Sequence, residues 1–440
     1  MTTQKKKVPR EAGRALPLQA PRGTQDILPS EQKYWEYVIE TAKQVLRGWD
    51  WQRLDTPLFE ETSLFTVGVG EDTDMVAKEL FELKTRGGGA AYSLRPEGTA
   101  AVVRAYIEHG MRSWPKPVKL YYVGPFFRYD RPQAGRYRQL HQFGMEVFGS
   151  AAPITDVEVI YVAHTLLAQL GLEDYVFHIN SLGVPADRKA YVKVLKEHYR
   201  RNRTKLCRDC KERLKTNPLR LLDCKEEKCQ QVAKGAPRLL DSLSDEARSN
   251  FERVVAMLEE LGVPHEIRGS LVRGLDYYNG TVWEVFPKSQ EPASQAALGG
   301  GGRYDGLIKR LGGKDTPALG AAFGVERIVS RLKEEGIELT AFDGPRVFVA
   351  QLGDAAKMTA LRVMRSLQEA QIHFAESIDR EGMQPQLKLA SRLGASWVVI
   401  IGQKEVLDKT VILRNVVSGM QEVVPQESLA QELSKRLDLP

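Results

Sequence analysis

The stretch VKLYYVGPFFRYDRPQAGRYRQLHQFGMEVFG, residues 118–149, decides the architecture. Its two ends are rich in β-branched and aromatic residues, and its middle, RPQAGRYR (131–138), is a basic Pro/Gly-rich connection. β-formers on both sides of a breaker predict two paired strands with a positively charged tip. On the second strand, period two puts Gln142, Gly144 and Glu146 on one face and Phe143, Met145 and Val147 on the other. The apolar face reads as core. The polar face reads as a lined floor with room above it, suited to an ammonium and a second polar group.

Working outward, 31–48 has the apolar spacing of a helix, and WQRLDTPLFEE (51–61) reads as a strand ending near Pro57. AYSLRPEGTAAVVRAYIEHGM (91–111) is a short strand breaking into a helix, with Pro96 and Glu97 where first turns favour them. A helix is expected over 154–171, then the strand YVFHINS, then a charged helical insertion at about 185–245. Strand character returns with HEIRGSLVRG. LVRGLDYYNGTVWEVF (271–286) reads as two extended segments about an Asn279-Gly280 turn, interrupted by Arg273, Asp276, Tyr277 and Tyr278. The glycine run ALGGGGRYDGL and a strand-to-helix passage through GAAFGVERI follow. Beyond a linker near 336–344, strands and helices alternate as in a small α/β unit.

The chain has 440 residues, 42% hydrophobic and 27% charged, with a formal charge of +6. That is an ordinary globular composition, and the length predicts two or three domains. No apolar run reaches membrane-spanning length, and MTTQKKKVPREAGRALPLQAP lacks a secretory apolar core, so a cytoplasmic chain without membrane association is expected. Residues 1–20 read as a flexible basic arm. The mild positive charge permits an RNA partner without requiring one.

No G-x-x-x-x-G-K-[ST], fitting G-x-G-x-x-G or H-E-x-x-H occurs. A nucleotide would have to be held by arginine, whose planar fork pairs with carboxylate and phosphate at two points. Arg128, Arg273 and Arg327 each interrupt or end a strand beside glycine, which is where such a device would sit. Cys207, Cys210, Cys224 and Cys229 form CRDC and CKEEKC pairs within 23 residues. Their spacing fits a structural zinc knuckle, but reduced thiols of a helical segment are the preferred reading.

LRPEGTAAVVRAY, GPFFRYDRPQAGRYRQLHQFGMEVFG and GAAFGVERI resemble the second and third signature motifs of class II aminoacyl-tRNA synthetases, and TPLFEE resembles the first. LVRGLDYYNGTVWEVF and ALGGGGRYDGL are similar to the paired peptides of the histidyl-tRNA synthetase family, and PRGTQDILP (21–29) is similar to its start. The resemblance implies an α+β fold: an antiparallel six-stranded sheet with flanking helices, a helical insertion and a C-terminal α/β anticodon-binding domain. Residues 21–335 would be catalytic and 343–440 would bind the anticodon. It implies a homodimer that activates L-histidine with ATP and Mg²⁺ and then charges tRNA(His). Glu97, Gly98, Thr99 and Gln142 would hold the substrate α-ammonium end. Glu146 and Tyr278 would read the imidazole, with Tyr277 beside it. Arg128 and Arg273 would serve the histidine carboxylate and α-phosphate as the catalytic pair, and Arg327 the far end of ATP. Arg136 and Arg138 would meet the tRNA acceptor end. The rival implied by the same motifs is a synthetase-like regulatory subunit of ATP phosphoribosyltransferase, disfavoured because all three arginines stand.

Overall fold

The two strands around the basic connection form and pair antiparallel, from Val118↔Phe148 to Phe127↔Gln139. The computed structural model describes residues 18–71, 73–84, 88–131, 135–288, 297–339 and 346–437. Most of the basic arm, the middle of the 131–138 loop and much of the 336–344 linker lie outside them. The chain divides into two compact units, 1–338 and 339–440.

The first unit is organised by one sheet. Its strands are β1 (Gln52–Arg53), β2 (Val118–Phe127), β3 (Gln139–Phe148), β4 (Tyr175–Ser181), β5 (His265–Ile267), β6 (Asn279–Pro287), β7 (Gly299–Arg303) and β8 (Ala318–Gly324). The spatial order is β1-β2-β3-β8-β7-β6-β4-β5. The six inner strands are antiparallel, as expected, and β1 and β5 add short parallel edges.

Alternation along these strands separates two cores. Phe143, Met145, Trp283 and Phe323 face the helices Pro29–Gly48, Pro153–Gln169 and Val325–Glu334. Phe143 and Phe323 stack at 5.1 Å, and each fully buried ring contributes about 1.5–3 kcal/mol. The opposite face packs Leu120, Tyr122 and Val282 against the helix Thr99–Glu108 and the insertion. A small antiparallel sheet, Phe59–Glu61, Tyr92–Leu94 and Phe81–Leu83, leads into that helix. Arg95 fixes its approach, donating to Thr56 O at 2.9 Å and Pro125 O at 3.0 Å.

The insertion is helical throughout, with helices Pro185–Arg201, Arg208–Thr216 and Glu227–Lys234 around Leu195, Tyr199, Leu214 and Leu221. The hairpin expected over 271–286 does not form. Only β6 is a strand, and Asn279-Gly280 opens it rather than turning it. Residues 271–278 leave the sheet because their backbone is claimed elsewhere: Asp276 N–H donates to Val69 O, and Arg188 donates to Asp276 O at 3.1 Å. Likewise HEIRGSLVRG yields only the three-residue β5.

The second unit has a five-stranded sheet, in the order Phe374–Glu376, Val347–Gln351, Trp397–Ile401, Thr410–Asn415, Gln421–Pro425. The first three strands are parallel and the last two form a hairpin. Val349, Leu367, Val399, Leu413 and Leu433 are among its core. No helix among the described residues is long and apolar enough to cross a membrane.

Candidate active site

A cavity of about 300 Å³ lies on the insertion-facing side of the first unit's sheet. Arg128, Arg273 and Arg327, from three distant parts of the chain, all line it. So do Glu97, Gly98, Thr99 and Gln142 on one side, Tyr277 and Tyr278 on another, and Arg136 at the basic tip. Glu146 and Arg138 do not. Arg138 turns away, donating to Arg22 O at 3.3 Å and stacking over Tyr129. Arg136 pairs with Asp130 at 2.5 Å.

Each arginine is anchored by part of its fork. Arg128 Nε donates to Pro96 O at 2.9 Å and Arg327 to Ala297 O at 2.6 Å. Burial lowers the pKa of both. Arg128 and Arg136 depress Arg327 further, so the guanidinium groups repel one another across the cavity. Such a place favours an anion. Arg273 pairs with Glu284, and its buried Nε has no hydrogen-bond partner among the described residues. Burial works against its charge, yet Glu284 and the neighbouring tyrosines outweigh that and its pKa rises. The pair lies over Gly300, where a Cβ would come within 2.6 Å of Arg273 Nη1.

Glu97 sits at the start of the Thr99–Glu108 helix and accepts from the N–H groups of Thr99 (2.7 Å) and Ala100 (2.9 Å). These are the unpaired donors of a helix N-terminus, satisfied by a carboxylate. Burial raises its pKa, and those two N–H groups counter the rise. Tyr277 reaches the same carboxylate at 3.4 Å, with its ring 4.7 Å from that of Tyr278.

Glu146 lies beneath the cavity wall, fully buried. Its Oε1 accepts from Thr99 at 2.8 Å and Tyr122 at 3.5 Å, and its Oε2 from Tyr304. Burial pushes its pKa to about 8 despite those donors. The room expected above Gly144 is filled. The Tyr122 ring lies over Gly98 and Gly144, and a Cβ at either would meet it at 2.3 Å. Gly320, the cross-strand neighbour of Glu146, clears space for the carboxylate, which would lie 1.7 Å from a Cβ there.

Three further side chains of the candidate site were not singled out from the sequence. Tyr304 stands in the glycine-rich peptide, directly after GGGGR, but a tyrosine after a glycine run carries no mark of its partner. Tyr122 looks like core from its strand. Glu284 alternates with Trp283 and Val285, so period two could have placed it on the polar face. The four cysteines of the insertion, in two pairs separated by residues 211–223, converge with all sulfurs within 4.8 Å of one another.

Residues 23–328 match the family model described as histidyl-tRNA synthetase, and 346–436 match the anticodon binding domain. A histidine–tRNA ligase of Dehalococcoides mccartyi is 45% identical over 419 residues, 95% of this chain and 100% of that protein. That of Geobacillus thermodenitrificans is 44% identical over 422 residues, 96% of this chain and 99% of its own. The crystal structure of apo Staphylococcus aureus histidyl-tRNA synthetase superposes with a TM-score of 0.79 at 35% identity, covering 94% of this chain and 99% of that one.

Proposed function

The chain belongs to the histidyl-tRNA synthetase family and acts as a histidine–tRNA ligase, and we propose that the arginine-lined cavity is where L-histidine and ATP react. The observation that carries this reading is the convergence of Arg128, Arg273 and Arg327 on one cavity beside Glu97, Tyr277 and Tyr278.

Glu97, Thr99 and Gln142, next to Gly98, take the α-ammonium. Tyr278 takes one imidazole nitrogen at the cavity wall; Glu146, which does not line the cavity, takes the other when bound histidine uncovers it and holds it in its ionised form. A carboxylate offers about four acceptor positions. Thr99 and Tyr122 occupy two on Oε1 and Tyr304 one on Oε2, which leaves one for the imidazole N–H. Reading both nitrogens leaves buried groups unpaired when an analogue lacks them, a penalty of roughly 10⁴–10⁵ in specificity.

Arg128 holds the histidine carboxylate against the α-phosphate. That carboxylate is already ionised, so no general base is needed when its oxygen attacks phosphorus and pyrophosphate leaves. Arg273 faces the α-phosphate and stabilises the charge that builds there. Arg327 holds the far phosphates, and ATP enters as its Mg²⁺ complex. Positioning and preorganised charge supply the catalysis. Arg136, at the basic tip, meets the acceptor end of tRNA(His), and the 343–440 region reads the anticodon. The exposed Leu58 and Phe59, within the TPLFEE segment that resembles the first class II motif, support a homodimer.

Histidine-dependent exchange of pyrophosphate into ATP tests the reading. Exchange at a rate comparable with other synthetases is expected; histidine binding without exchange would sink it in favour of a regulatory role.

A further inference from the structure

We propose that Cys207, Cys210, Cys224 and Cys229 bind one structural zinc ion, which clamps the insertion onto the loop carrying Arg273, Tyr277 and Tyr278. Four sulfurs at about 2.3 Å from a tetrahedral zinc stand about 3.8 Å apart. Here Cys207 Sγ and Cys224 Sγ are 3.9 Å apart and the whole set lies within 4.8 Å. None of the four is in a disulfide. The sulfurs are too close together for a four-iron cluster, whose thiolates sit on separate metals, and all-sulfur tetrahedral donors select zinc from the common divalent ions.

The backbone around the sulfurs has the arrangement thiolates need. Cys207 precedes the helix Arg208–Thr216, and the N–H of Cys210 donates to its sulfur at 3.3 Å. The N–H of Cys207 donates to Cys229 Sγ at 3.2 Å. These N–H···S bonds and the helix N-terminus favour the charged sulfur. Apolar packing alone would bury the thiols, but it gives no reason for two separate turns to aim four sulfurs at one point. Binding is balanced as Zn²⁺ displacing up to four thiol protons, leaving two negative charges. Arg213, which feels both Cys210 and Cys224, lies beside them.

The segment between the cysteine pairs reaches the active site. Arg213 donates to Asp74 at 3.0 Å, and Asn217 to Asp276 at 2.9 Å. Arg220 lines the cavity itself. Asp276 is three residues from Arg273. A metal that closes the 207–229 loop therefore stiffens one wall of the cavity, as small metal sites stabilise folds with little core of their own.

The test is metal analysis of the full-length protein purified without chelator or added metal. About one zinc per chain is expected, retained through gel filtration and released in step with a mercurial that titrates the thiols. Cobalt exchanged into the site should give the intense visible bands of tetrahedral thiolate coordination. Cys210→Ser should lose the metal; if it is insoluble, the wild-type stoichiometry and cobalt spectrum still decide. Zinc removal should lower the melting temperature and raise the KM for histidine in exchange, both restored by zinc and not by magnesium. Active protein with four freely titrating thiols and no zinc, a disulfide between any two, or iron in place of zinc would each overturn the proposal without touching the ligase reading.

Discussion

Thr99 Oγ1 donates to Glu146 Oε1 at 2.8 Å, joining the first turn of a helix to a strand residue 47 positions on. The helix end proposed to receive the substrate ammonium is thereby locked to the carboxylate beneath the proposed imidazole site. Disturbing either residue should be felt by the other.

Glu146→Gln tests the buried carboxyl directly. Its folded pKa of about 8 stands above the ordinary 4.5, so folding favours the neutral form. Its stabilising contribution is full below pH 4.5 and is lost as pH rises through 8, at about 1.4 kcal/mol per pH unit. Between pH 5 and 8, ligand-free Glu146→Gln should gain stability relative to the parent chain in urea titrations. Parallel pH profiles would refute the assignment. Histidine activation should fall steeply in the same variant.

Tyr304→Phe removes the donor to Glu146 Oε2. Leaving a buried acceptor short of a partner costs about 1–3 kcal/mol. Exchange kinetics should show a higher KM for histidine with the KM for ATP little changed; an equal rise in both would place Tyr304 outside the imidazole site.

Arg273→Ala should lose at least about 10²-fold in the adenylation rate while tRNA binding persists, as when a preorganised transition-state donor is removed. Single-turnover adenylation and a filter-binding assay separate the two. Parallel losses would mean that Arg273 supports the fold rather than the reaction.

Gly144→Ala places a methyl 2.3 Å from the Tyr122 ring. Overpacking of this kind costs about 1–3 kcal/mol, and the displaced ring should weaken histidine binding measured by calorimetry. Unchanged melting and affinity would show that the ring has somewhere else to go.

Much of this was legible in the chain. The β2–β3 pair, the faces of Phe143 and Gln142, and the alternation of the second unit follow from period and turn chemistry, which are local. The same local rule failed at Asn279-Gly280. A turn signal forms a hairpin only if the preceding segment is free to pair, and Val69 and Arg188 already hold its backbone. The room over Gly144 was misjudged for a like reason: Tyr122 comes from the neighbouring strand, and register alone brings its ring across.

By itself the sequence determined which residue types the site would use, because fork-shaped cations, a helix-start carboxylate and paired phenols are chemical choices visible one position at a time. Only the tertiary structure decided that three guanidinium groups share one cavity, that Glu146 sinks beneath it with a raised pKa, and that four sulfurs meet. Those outcomes depend on distances between segments far apart in the chain, and desolvation and convergence exist only once the sheet has closed over them.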